Sequence, residues 1–290
     1  MNRHEDLFRC LDSLEIVKDI ISEIIVVDNN SDADTKIILE AYVSNKENLR
    51  LFSLSENLGV AGGRNFGFSK AVSDVVFSLD DDAILLDRRT IIDALNVFSK
   101  NPNLGAIGTK SYLREIGSVE WPAIPSAIAK RFYSRGFKRV GRFIGVANFI
   151  RRDFFIDVGG YGDFFPYGHE EIDLSLKFFK KGYEIYFDAR NAVLHMKVEK
   201  ARLFRDRREF LSNQLEKKWR IAHYHLPFFF RIIAISLRSL QYVIIRGRFD
   251  VWILRDTYKK FAMSKRNEFI DRMSFSKAIK GVIQGAPVLW

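Results

Sequence analysis

The sequence predicts an α/β fold, a mostly parallel sheet flanked by helices, with a helical extension behind it. Three observations predict it. Short apolar runs alternate with segments of helical period up to about Lys200. Such a βαβα rhythm argues for parallel strands joined by crossover helices. The run Val75-Val76-Phe77-Ser78-Leu79 meets three carboxylates, Asp80, Asp81 and Asp82, where a buried strand should stop. Ligands in open α/β sheets bind at such carboxyl ends. Beyond Ala201 strand signals fade and basic, aromatic helical segments take over, so one domain spans 1–200 and an extension spans 201–290.

The elements follow in order. Leu7 to Leu14 has helical period. Glu23 to Asp28 is a short apolar strand ending in an acid. Thr35 to Ser44 is a helix that Asp32 or Asp34 can cap. Leu49 to Leu54 is a strand, Arg64 to Val72 a helix, and the Val75 strand follows. Thr90 to Ser99 is a helix stopped ahead of Pro102. The acids Glu170, Glu171 and Asp173 lie in the first turn of a helix ending near Lys181-Gly182, and Tyr183 to Asp188 is a strand. Among 290 residues there is one cysteine, Cys10, which excludes a disulfide framework and a cysteine-based zinc site and fits a reducing cytoplasm. Met1 to Cys10 is too polar for a signal peptide, and no stretch reads as a membrane span.

The net charge of +10 is unevenly spread, with Lys197, Lys200, Arg202, Arg205, Arg207, Arg208, Lys217, Lys218 and Arg220 in one run. That run suits a phosphorylated substrate, anionic lipid or nucleic acid, or is a solvated helix face. No basic and aromatic nucleic-acid motif accompanies it, so nucleic acid is not expected.

Oxygen-only ligands such as the Asp80 triplet suit Mg²⁺ or Mn²⁺, which relieve the repulsion between adjacent carboxylates. Asp28, in the turn Asp28-Asn29-Asn30-Ser31, either binds the base or ribose of a nucleotide or serves as an ordinary strand exit. Asn57 to Gly67 opens a helix with Gly59, Gly62 and Gly63. There the backbone can approach a pyrophosphate, Arg64 adding charge, or simply make a tight turn. Gly159 to Gly168 reads as a shaped loop leading into Glu170 and Glu171, where a carboxylate can act as a general base or just favour the helix start. His195, beside Leu194 and Met196, is structural unless the fold returns it to the acidic triplet.

The order and spacing of these pieces resemble the family-two glycosyltransferases, inverting enzymes of the GT-A fold that use nucleotide-sugar donors, and among them bacterial rhamnosyltransferase-like members. The matching pieces are Val26 to Ser31, Asn57-Leu58-Gly59 with Ala61 to Asn65, Leu79 to Asp82, Val158 to Tyr161, Glu170 to Leu174, and the strand reaching His195. The resemblance implies that Asp28 binds the donor base and that Asn57, Gly63, Arg64, Asp80 and Asp81 complete the donor site. It implies Asp80, Asp82 and His195 around Mn²⁺ or Mg²⁺, Glu171 as the base, and Glu170 and Asp173 binding the acceptor or orienting the helix. It further implies a UDP- or dTDP-linked hexose or deoxyhexose and a saccharide or lipid-linked acceptor in surface polysaccharide or glycolipid synthesis. The alternative is a non-catalytic nucleotide-sugar-binding or scaffold protein of the same fold. Three positions depart from the family pattern. Met1 stands where a Tyr closes the family's first strand, which has no counterpart here; Glu171 replaces the commoner Asp, and Lys177 a usual Arg. Specificity is expected in Lys110 to Ile150, with Trp121, Pro122 and Pro125.

In the extension, His225 to Ile245 is an apolar run in which Arg231 and Arg238 share a helical face, with Arg246 and Arg248 following. Two charges inside the run argue against a span. It reads as a helix on the inner, anionic face of the membrane, or as one packed on the first domain or in a homodimer.

Overall fold

The computed structural model describes residues 2–44, 46, 48–120, 136–163, 165, 168–197, 207–244, 250–263 and 271–283. Trp121, Pro122, Pro125, Phe164, Pro166, Tyr167, Lys200, Arg202, Arg205, Ile245, Arg246 and Arg248 lie outside these residues. The chain divides into two compact units, Met1–Val198 and Glu199–Trp290.

The first unit opens with α1 (His4–Ser13), β1 (Ile24–Asp28), α2 (Ala33–Val43), β2 (Leu49–Ser53), α3 (Gly59–Lys70) and β3 (Val75–Leu79). β4 (Ala83–Leu85), α4 (Arg89–Lys100), β5 (Leu104–Leu113), β6 (Phe137–Val140), β7 (Ala147–Arg151), α5 (Arg152–Asp157), α6 (Glu170–Lys181) and β8 (Glu184–His195) follow. Local chemistry sets these limits. Of the two candidate caps of α2, Asp32 is the one used: its carboxylate accepts from Thr35 N–H at 2.8 Å. In α4, Ile91, Ala94 and Phe98 recur at helical spacing and are all buried. α6 stops at Gly182, whose φ of 90° is the left-handed conformation that closes a helix without a Cβ clash.

The sheet is mixed, not mostly parallel. In the six-stranded sheet, ordered β3-β7-β5-β8-β4 with β6 also on β8, only β5 and β8 run parallel; β3–β7, β5–β7, β4–β8 and β6–β8 are antiparallel. Parallel pairing needs a long crossover. The helical rhythm supplies a crossover through α4, but β7 enters between β3 and β5 and runs antiparallel to both. β8 is also longer than the Tyr183–Asp188 run suggests. A register shift between Thr109 and Lys110 of β5 leaves residues 189–191 of β8 unmatched there. Past that irregularity the outer edge of β8 changes partner from β6 to β4, and His195 comes to lie opposite Ala83.

β1 and β2 form a separate parallel pair. Among the described residues β1 is bonded on one side by β2 alone, and β3 on one side by β7 alone. A cavity of about 790 Å³ lies between their free edges, lined by Ile25, Val27, Val75 and Phe77, and reaches Asp28, Arg64 and Asp80 at one end. Residues 2 and 3 tie the two strand ends together. Asn2 N–H donates to Ser31 Oγ at 3.0 Å and its side chain accepts from Asp32 N–H at 3.0 Å, while Arg3 reaches Asp81 and Asp82.

The second unit is helical: α7 (Arg207–His225), α8 (Phe228–Val243), α9 (Trp252–Met263) and α10 (Phe275–Ile283). Leu211, Leu215 and Ile253 form its core, with Trp219, Tyr242 and Leu254 packed against them. No helix among the described residues is long and apolar enough to cross a membrane.

Candidate active site

The site lies where β3 and β8 end and β4 begins. Asp80 follows β3, and its N–H donates to Val146 O at 2.9 Å, extending the β3–β7 ladder by one bond. Met196 N–H donates to Asp82 O at 2.8 Å and fixes the end of β8 against the acidic turn. Carboxylate oxygens of Asp80 and Asp82 and a ring nitrogen of His195 therefore lie within 4.8 Å of one another. Two carboxylates and an imidazole form a donor set that can hold a divalent cation.

Charges in this cluster are strongly coupled to burial. Burial pushes Asp80 up, Arg64 pulls it down, and Asp82 and Asp81 push again, leaving it near 6 although its side chain stays 32% exposed. Burial also works to raise Asp82, but bonds from His195 and Arg3 hold it at about 2. His195 Nε2 is 3.4 Å from Asp82 Oδ1, and Arg3 Nη2 is 2.7 Å from Asp82 Oδ2. Arg3 Nη1 pairs with Asp81 at 2.9 Å. Burial opposes the charge on His195, but Asp82 and Glu120 on either side outweigh it and lift the imidazole to about 9.

Arg64 joins the acidic turn to the start of α6. Its Nη2 donates to Asp80 Oδ1 at 2.6 Å and to Gly145 O at 3.0 Å, while Nη1 is 3.6 Å from Glu170 and 3.8 Å from Glu171. The two glutamates differ in exposure: the Glu170 side chain is 3% exposed and that of Glu171 17%. Burial and the neighbouring Glu171 push Glu170 up against the pull of Arg64. His169, with φ of 78°, turns the chain into this helix.

The remaining expected residues sit around that centre in different ways. Asp28 is buried, and its carboxylate is engaged locally, accepting from Ser31 N–H at 3.1 and 3.3 Å and from Ser31 Oγ at 2.5 Å. Asn57 accepts from Gly59 N–H at 2.9 Å and is exposed. The glycine segment is itself helical, α3 beginning five residues before Arg64, and Gly63 lies against Asn29. Asn29 clamps the start of α3, accepting from Leu58 N–H and donating to Gly59 O, both at 2.9 Å. Asp173 turns away from the acidic turn. It accepts from Gly162 N–H at 3.2 Å and pairs with Lys177 at 3.0 Å, holding the loop before α6. Lys177 also donates to Gly160 O at 2.8 Å. Gly160 has φ of 63°, and a Cβ there would come within 2.7 Å of Asn65 Oδ1.

Two residues escaped the sequence reading. Glu120 is buried and accepts from His195 Nδ1–H at 2.8 Å and from Ser111 Oγ at 2.9 Å. Gly145 sits under Arg64, where an added Cβ would strike the Glu171 carboxylate and approach the guanidinium to 3.1 Å. Neither belongs to a recognisable motif. Their partners are distant in sequence, so only the fold reveals them.

The fold is the GT-A fold of nucleotide-sugar transferases. Structures similar to it include GalNAc-T7 with UDP, GalNAc and Mn²⁺, at a TM-score of 0.62 and 15% identity over 89% of this chain. A mannosyltransferase from Pyrobaculum calidifontis, PcManGT, in complex with GDP-Man and Mn²⁺, matches at a TM-score of 0.60 and 17% identity over 100% of this chain and 78% of its own. The chain spans 55% of the GalNAc-T7 chain. An uncharacterized protein of Haemophilus influenzae (strain ATCC 51907 / DSM 11121 / KW20 / Rd) is 34% identical over 135 residues, 44% of this chain and 71% of that protein. The model for glycosyl transferase family 2 matches residues 1–159, and the chain belongs to that family.

Proposed function

We propose that this chain transfers a sugar from a nucleoside-diphosphate sugar to an acceptor hydroxyl with inversion, using a divalent cation held by Asp80, Asp82 and His195. The observation that carries the reading is the meeting of those three side chains within 4.8 Å, one arginine away from Glu170 and Glu171. The donor set fits Mn²⁺, and its carboxylates fit Mg²⁺. Bound there, the cation would neutralise charge on the departing nucleoside diphosphate.

The chain's own residues do the rest. Asp28, Asn57, Gly63 and Asp81 frame the donor, with the α3 terminus beside them favouring its phosphates. Arg64 bridges the donor side to α6. Glu171, the more open of the pair, takes the proton of the attacking hydroxyl at its carboxylate. Glu170, the more buried of the two, leaves that role to Glu171 and bonds the acceptor. Asp173 keeps the preceding loop in place. One base suffices because the acceptor attacks opposite the leaving group. The UDP held by one similar structure and the GDP-Man held by the other support a nucleoside-diphosphate-sugar donor, which we take to be a UDP- or dTDP-linked hexose or deoxyhexose. We place the reaction in the cytoplasm, on a saccharide or lipid-linked acceptor in surface polysaccharide or glycolipid synthesis.

The test is a transfer and donor-hydrolysis screen over nucleotide-sugars with Mn²⁺. Asp82→Ala should abolish turnover with the fold intact. Glu171→Gln should lower it by about 10²–10⁴-fold while donor binding persists. Undiminished transfer in excess chelator would remove the metal from the mechanism. Near-normal turnover by Glu171→Gln would move the base elsewhere.

A further inference from the structure

Helix α8 is amphipathic with its apolar side outward. Its exposed positions are 228, 229, 232, 233, 236, 237, 240 and 241, a continuous stripe at helical spacing, and Ile244 extends it. The stripe carries Phe228, Phe229, Ile232, Ile233, Leu237 and Leu240, with only Ser236 and Gln241 polar. Ala234 and Val243 are the buried residues of this helix. Soluble helices normally present the opposite arrangement.

A second helix continues the surface. Phe275, at the start of α10, meets the rings of Phe229 and Phe230 at centroid distances of 6.5 and 5.3 Å. Beyond it Ile279, Val282 and Ile283 are exposed. The charge on both helices has one sign. Phe228–Val243 and Phe275–Ile283 contain Arg231, Arg238, Lys277 and Lys280 and no acid. Arg231 and Arg238 stand seven apart along one border of the α8 stripe, partly buried. Burial lowers Arg231, and the nearby cation Arg272 lowers it further, so a partner anion would be welcome there.

We propose that α8 and α10 form a docking face for an anionic lipid bilayer, the apolar stripe entering the acyl boundary and the flanking cations meeting lipid phosphates. Charge complementarity selects this occupant: an apolar face whose two helices carry four cations and no acid matches an anionic bilayer surface. Length excludes a span, since the 16 residues of α8 reach about 24 Å and a hydrocarbon core is about 30 Å thick. The inference is independent of the catalytic assignment, because α8 and α10 contribute no residue to the site.

The experiment is co-sedimentation of the full chain with vesicles of phosphatidylcholine alone and of phosphatidylcholine with 30% phosphatidylglycerol, at low and high salt. A triple variant, Phe229→Ser, Leu237→Ser and Leu240→Ser, removes three exposed side chains and should keep the helical circular dichroism of the parent. Binding is expected on the anionic vesicles, at least tenfold weaker on neutral ones, reduced at high salt and lost by at least tenfold in the variant. A parent chain that stays in the supernatant with anionic vesicles at low salt overturns the proposal. So does a dimer in light scattering that the triple substitution splits while vesicle binding is unaffected, since the face would then belong to a second copy.

Discussion

Replacing Glu120 with Ala should weaken divalent-cation binding without unfolding the protein. The carboxylate makes two short bonds, to His195 Nδ1 at 2.8 Å and to Ser111 Oγ at 2.9 Å, and it is buried. By accepting from Nδ1–H it fixes the ring so that Nε2 faces Asp82, 3.4 Å away. A hydrogen bond to a charged partner contributes about 1.5–3 kcal/mol net. Loss of an outer partner of a metal-binding histidine typically costs about 10–100-fold in metal affinity, equivalent to about 1.4–2.7 kcal/mol. Free Mn²⁺ can be followed by its paramagnetic resonance signal as protein is added, with thermal melts of each variant alongside. Glu120→Ala is expected to raise the dissociation constant by 10–100-fold on this argument. Glu120→Gln, whose amide oxygen still accepts from Nδ1–H, should lose less. A merely structural role would lower the melting temperature and leave the Mn²⁺ constant alone. Binding by Glu120→Ala within twofold of the parent would refute the reasoning.

Two further outcomes follow from the site's charges and packing. His195 is raised from its ordinary 6.5 to about 9, so its stabilising contribution to the metal-free protein is complete below 6.5 and lost as pH climbs through 9. A cation must displace that proton, so Mn²⁺ affinity should rise by about tenfold per pH unit between 7 and 9 and then level; calorimetric titrations across that range would expose a flat profile. Gly145→Ala should drive Arg64 and Glu171 apart and destabilise the protein by about 1–3 kcal/mol, with donor binding measurably weaker; a thermal melt and a donor titration matching the parent would contradict the contact.

Much of the fold was legible because its strands and helices carry local punctuation. β1 and β3 are apolar runs stopped by acids, Asp32 caps α2, and Gly182 ends α6. β5 was not legible. Thr109, Lys110 and Ser111 interrupt its apolar pattern, yet all three are buried, and the Lys110 ammonium donates to Ala189 O at 3.0 Å. β4, three residues long, is too short to show a period. The acids of the site announced themselves by clustering. Glu120 did not, because its meaning rests on a histidine 75 positions away that β8 delivers only by changing neighbours midway. The mixed strand directions were hidden for a similar reason: nothing local in β7 states which way its partners run.

The free edges of β1 and β3 have a consequence for where the first unit opens. Arg152 N–H donates to Asp74 O, and Asp80 N–H to Val146 O, which places the even-numbered peptides of β3 on the β7 side. The peptides of Val75, Phe77 and Leu79 then point into the cavity. On β1, Ile24 N–H and Asp28 O bond toward β2, so Ile25 and Val27 point the same way, from the other wall. Buried peptide groups without a partner cost about 1–3 kcal/mol each, and water relieves that cost. Amide hydrogen exchange along one strand should therefore alternate, fast at Val75, Phe77 and Leu79 and slow at Val76 and Ser78. The acidic turn is thus mounted on a strand that can breathe on one side, and Arg3 and Asn2 are the clasp that holds its mouth shut.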